Sequence, residues 1–151
     1  MDLPQFLVKA KIATYASEAT EMALEDGAKE LTFQNGEFKY RDRYYGTNPF
    51  VGQEIVWKNN RLIWSMNYFG KILSGVVSEK EVYKFLQRAM KQVKEDRPFR
   101  GSSNFKIDDF EYIDESTGDV NNFIGTERIL FKEEEIYRLN YHGGSMYSAG
   151  Q

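Results

Sequence analysis

Cysteine is absent from the 151 residues, and histidine occurs once. The first absence excludes disulfides, thiolate zinc sites and cysteine nucleophiles. The second excludes multi-histidine metal centres. No apolar run approaches the ~18 residues that a membrane span needs. The N-terminus, Met1-Asp2-Leu3-Pro4, has neither the basic nor the apolar region of a secretory signal. No Asn-x-Ser/Thr acceptor occurs. These absences predict a cytoplasmic protein with no membrane partner. Phosphate loops and Gly-x-Gly-x-x-Gly are also missing. Gly143-Gly144-Ser145-Met146-Tyr147 lacks the closing glycine of a nucleophile elbow. Asp114 to Asp119 departs from a calcium loop, with Gly118 at its fifth position and Gly125 at its twelfth. No metal and no cofactor is expected, and no internal repeat or low-complexity segment is apparent.

What is plentiful is aromatic. Eleven Phe and ten Tyr bring the aromatic share to 15%, beside 41% hydrophobic and 28% charged residues. This is the balance of a folded globular chain, and the length suits one domain over residues 1–151. A net charge of -3 argues against direct nucleic-acid binding. Lys80, Lys84, Arg88 and Lys91 nevertheless share a helical stripe. Acidic residues collect between Asp108 and Asp119 and at Glu133-Glu134-Glu135. Both read as solvated surface.

Two helices are legible. One runs from about Leu3 to Thr14, with Asp2 as cap, Pro4 in the first turn, and Leu3, Phe6, Leu7, Ala10 and Ala13 on one face. The other runs from about Glu79 to Lys94. It opens on the capping box Ser78-x-x-Glu81, carries an apolar stripe from Val82 to Val93, and is stopped by Arg97-Pro98. Tyr15 to Lys29 reads as a long loop, of a length that tends to carry function. The remainder alternates as strands: Leu31–Gln34, Phe38–Tyr45, Phe50–Lys58, Arg61–Phe69, Phe105–Ile113, Phe123–Phe131 and Ile136–His142. Turns are signalled at Asn35-Gly36, Asn59-Asn60 and Asp114–Asp119. The predicted fold is α+β: a curved antiparallel sheet of about seven strands with two helices packed on it.

Alternation sorts the strand residues by face. Asp42 shares its face with Phe38, Tyr40 and Tyr44, and Glu54 with Phe50 and Val56. A carboxylate among aromatics is costly unless partnered. One reading makes Asp42 a structural acceptor for tyrosine hydroxyls. The other has Asp42 and Glu54 line a pocket walled by Trp57, Trp64 and Tyr68, suited to a polar or cationic ligand. His142, in Tyr141-His142-Gly143-Gly144, is the single candidate catalytic imidazole, and would need Asp42 or Glu54 beside it.

The chain resembles a small prokaryotic domain family of unknown function. The resemblance rests on Arg41-Asp42-Arg43-Tyr44-Tyr45-Gly46, the segments Phe50 to Trp57 and Trp64 to Gly70, Pro98-Phe99-Arg100-Gly101, and Tyr141 to Gly144. Its members stand alone or follow an Xre-type helix-turn-helix. The resemblance implies a module that can serve a regulator as a sensor, and it brings no catalytic residues. The Tyr15–Lys29 segment departs from the Gly/Ser-rich loop it implies. Three functions compete at this level. The first is a small-molecule binding or sensor domain, with Asp42, Glu54, Trp57, Trp64, Asn67, Tyr68, Arg100 and His142 as its site. The second is a hydrolase- or lyase-like enzyme using His142 with a carboxylate. The third is a protein interaction module, with self-association as one form.

Overall fold

Helix α1 (Leu3–Ala13) leads into strands β1 (Met22–Ala23), β2 (Lys29–Asn35), β3 (Phe38–Gly46), β4 (Phe50–Lys58) and β5 (Arg61–Ile72). Helix α2 (Glu79–Met90) then precedes β6 (Asn104–Ile107), β7 (Phe110–Asp119), β8 (Asn122–Phe131) and β9 (Glu134–Ser145). The computed structural model describes residues 1–14 and 21–146. The strands form one antiparallel sheet in the order β1-β2-β3-β4-β5-β9-β8-β7-β6. The helices and the core lie on one face of it.

The α+β class matches expectation, but among the described residues the sheet has nine strands rather than about seven. One addition is β1, two residues paired with the start of β2. It falls inside the predicted Tyr15–Lys29 loop, whose residues 15–20 lie outside the described residues. The other arises because Phe105–Ile113 is a hairpin, turning at Asp108-Asp109 with φ +53° at Asp108. Aspartate tolerates the left-handed region, but without a glycine beside it the apolar alternation runs on through the turn. The predicted Asp114–Asp119 turn is extended strand, and the reversal comes at Val120-Asn121. Polarity there marks a solvated face, not a break.

Both helices start as predicted. Asp2 and Gln5 make reciprocal capping bonds on α1, and Ser78 Oγ accepts from the Glu81 amide on α2. Helix α2 ends at Met90. Two tighter turns follow, Gln92 to Ala89 and Val93 to Met90, and they carry Val93 into the core.

The chain is an internal repeat, contrary to the sequence expectation. Phe38, Tyr40, Asp42 and Gly46 recur at constant spacing as Phe110, Tyr112, Asp114 and Gly118. Gly52, Glu54, Asn67, Tyr68 and Gly70 recur without a gap as Gly125, Glu127, Asn140, Tyr141 and Gly143. Geometry follows suit. Gly46 and Gly118 have φ +80° and +89°, and the hairpin residues Gly36 and Asp108 have +60° and +53°. Phe6 of α1 packs on Phe33 and Phe38 at ring separations of 5.8 and 4.9 Å. Phe85 of α2 packs on the equivalent Phe105 and Phe110 at 5.8 and 4.9 Å. At the seam, Tyr68 lies opposite Tyr141, with Trp64 opposite Ser145 and Ile72 opposite Tyr137. A pseudo-twofold axis therefore passes through the Tyr68–Tyr141 pair and relates β2–β5 to β6–β9. The two copies differ at most positions, which hides the repeat from a direct reading of the chain.

A buried ion network beneath an aromatic cleft

Register sets the chemistry of the inner face. Asp42 lies directly opposite Glu54 across β3 and β4, and Asp114 opposite Glu127 across β7 and β8. All four carboxylates are buried. Like charges in opposed positions repel, so each needs a proton or a cation.

Three cations answer. Lys11, on the apolar face of α1, reaches Glu54 Oε1 at 2.6 Å and the Phe99 carbonyl at 2.6 Å. Burial pulls its ammonium below the usual range, against the attraction of Glu54. Arg100, in the segment joining α2 to β6, forks onto Glu127 with bonds of 3.0 and 2.9 Å. Such bidentate geometry is what a guanidinium offers a carboxylate. Tyr112 and Tyr137 also donate to Glu127. Arg97, at the same connection, stands 3.5 Å from Asp114 and bonds Ser116 Oγ through Nε and Nη2. Tyr141 donates to Asp114 at 2.8 Å.

Asp42 is the fourth carboxylate and has no ion-pair partner among the described residues. Tyr68 donates to its Oδ1 at 2.6 Å, and no hydrogen bond reaches Oδ2 among the described residues. The side chain is 3% exposed, and burial followed by repulsion from Glu54 pushes it up to about 7. Burial likewise pushes Asp114 up to about 7. The Tyr68 and Tyr141 phenols are both held above their usual range by burial and by these carboxylates.

Asp42 forms part of the floor of a cleft of about 720 Å³ between α2 and strands β2–β5. Tyr44, Phe50, Tyr68 and Tyr83 wall it, and exposed Lys29, Lys80 and Lys84 stand around it. Two of the lysines in the helical stripe thus line a concavity.

The predicted site residues divide between the two faces of the sheet. Asp42, Glu54, Trp64, Tyr68 and Arg100 are buried on the inner face. Of these, Asp42, Tyr68 and Arg100 border the cleft. Trp64 is structural: its Nε1 donates to the Val120 carbonyl, its ring stacks on Phe123, and Lys11 lies over it. Trp57, Asn67 and His142 belong to the outer face. Trp57 lies under Lys39 and Arg41. Asn67 and His142 are opposed, exposed neighbours across β5 and β9. His142 is therefore separated by the sheet from Asp42 and Glu54, and the pairing an imidazole base would need is not formed. The outer face holds a smaller groove of about 450 Å³ that includes His142, Asn67 and the exposed Phe69 and Ile124.

Sequence reasoning missed Lys11, Arg97, Asp114, Glu127 and the tyrosines that bond them. Lys11 follows Leu7 by one turn on an apolar helix face, which is a legible anomaly. Asp114 alternates with Tyr112 as Asp42 does with Tyr40, and the repeat would have flagged it.

The class that emerges is an α+β domain of two fused helix-and-meander units, each holding buried ion pairs of its own. Residues 42–146 match the family described as Domain of unknown function (DUF5680), and the chain belongs to it. No curated protein and no solved structure matches the chain. Among the described residues no helix is long and apolar enough to cross a membrane, and no group of acidic or histidine side chains could hold a metal ion.

Proposed function

We propose that this domain binds a small molecule in the inner cleft, with Asp42 as the polar anchor and Tyr44, Phe50, Tyr68 and Tyr83 as walls. One observation carries the reading. Asp42 is a buried carboxylate without a counter-ion among the described residues, and it lies at a roomy, aromatic concavity. Small-molecule sites combine such walls with a few convergent polar groups. Burial without a cation is unfavourable, and a ligand that completes the network recovers that free energy. In a chain that follows a helix-turn-helix, as the sequence resemblance implies, the cleft would serve as an effector pocket.

The test is a thermal-shift screen of metabolites at fixed pH. A ligand at about 100 times its Kd adds about 2.7 kcal/mol, roughly 5–10 °C in Tm for a chain this size. The expected hit moves the ring resonances of Tyr44 and Tyr83 and is lost in a folded Asp42→Asn variant. Hits that persist unchanged in that variant and leave those rings unmoved would overturn the reading.

A further inference from the structure

Building on the cleft as a binding site, we propose that it receives the cationic head, an ammonium or guanidinium, of a small molecule, seated over Asp42 as Arg97 is seated over Asp114.

The repeat makes the comparison internal to the protein. Asp42, Tyr44 and Tyr68 in the first unit correspond to Asp114, Ser116 and Tyr141 in the second. In the second unit the chain fills the position itself. The Arg97 guanidinium lies between the Asp114 carboxylate, 3.5 Å away, and Ser116 Oγ, at 3.0 and 3.2 Å. In the first unit the equivalent Asp42 and Tyr44 both line the cleft. The stretch leading into β2, Tyr15 to Ala28, contains neither Lys nor Arg. The first unit therefore has no residue there that could do what Arg97 does.

The charges facing Asp42 agree. Glu54 on β4 opposes it, while Lys11 on α1 and Arg100 after α2 are committed to Glu54 and Glu127. Tyr68 on β5 satisfies one oxygen. Four buried carboxylates thus share three cations among the described residues, and Asp42 is the one left over. The rings of Tyr44, Phe50 and Tyr83 suit a cation. Exposed Lys29, Lys80 and Lys84 outnumber the one exposed carboxylate in the lining, Glu21, and favour a ligand whose opposite end is anionic. The class is a cation-headed, amphoteric small molecule.

The experiment follows the side-chain carboxyl carbons of Asp42 and Asp114 by NMR pH titration, with agmatine, arginine or glutarate added. Agmatine and arginine should lower the Asp42 midpoint by about one pH unit or more, as a cation at contact distance does. They should leave Asp114 unmoved, and their ring-shift response should vanish in Asp42→Asn. In Arg97→Ala the same probes should also lower the Asp114 midpoint, showing that they can fill such a seat. A shift at Asp114 in that variant with none at Asp42 overturns the inference. So does a response of Tyr44 and Tyr83 to glutarate alone, which would keep the cleft as a binding site and make its ligand an anion. No response of those rings to any of the three, together with silence in the metabolite screen, removes both readings.

Discussion

Asp42 and Glu54 stand opposite each other on the buried face of the sheet, and among the described residues only Glu54 has an ion-pair partner. The consequence is a pH dependence of known sign. Burial, and then repulsion from Glu54, pushes the Asp42 carboxyl up to about 7 in the folded protein, against about 3.9 in an unfolded chain. Between these values the native state keeps a proton that the unfolded state has released, so stability falls as pH rises. Asp42→Asn keeps an acceptor for Tyr68 and removes the titration. From pH 5 to pH 8 the variant should therefore gain on the wild type by on the order of 2 kcal/mol, read from urea unfolding at each pH. An unchanged difference across that range would show that the carboxyl is ionised throughout. Asp114, raised to about 7 by its own burial, leaves a residual slope in the variant.

At the scale of elements, the helices carry corresponding residues with different duties. Phe6, Leu7 and Ala10 of α1 match Phe85, Leu86 and Ala89 of α2, which places Lys11 where α2 has Met90. Met90 fills apolar space, while Lys11 pins α1 to Glu54 on β4 and to the backbone at Phe99. Lys11→Met should cost about 3–5 kcal/mol, because it strands Glu54 as a buried charge. Lys11→Met with Glu54→Gln should recover most of that loss, since the cost lies in the broken pair. Denaturant midpoints of the two variants measure this. Equal destabilisation in both would assign the loss to packing instead.

At the scale of the molecule, the pseudo-twofold seam decides how the chain unfolds. Across the seam Tyr68 lies opposite Tyr141, Met66 opposite Gly143 and Gly70 opposite Leu139, and the pairs Trp64–Phe123, Phe50–Tyr137 and Arg100–Tyr68 cross it. Neither unit buries its apolar edge alone. Tryptophan fluorescence, reporting mainly on the seam through Trp64, and far-UV circular dichroism should give coincident two-state transitions. Separate midpoints would mean that the units fold independently. The symmetry also gives the cleft a filled counterpart: Arg97 occupies the second seat, and among the described residues no cation is paired with Asp42 in the first.

The sequence by itself determined the helix starts, four of the hairpin strands nearly to their ends, and the α+β class. Local rules sufficed, because capping residues and alternation act within a few residues of chain. It also placed Asp42 and Glu54 on the apolar face, since alternation is a property of the strand alone. Tertiary structure decided what those carboxylates meet. Lys11 and Arg100 come from distant segments, and long-range pairing leaves no local trace. The strand faces of Asn67 and His142 were equally legible. That those faces oppose the one bearing Asp42 depended on the register of β4, β5 and β9. The repeat lay in the sequence throughout, as spaced residues whose identity is held by φ > 0, close approach and buried charge. It became visible only once the sheet set one unit against the other.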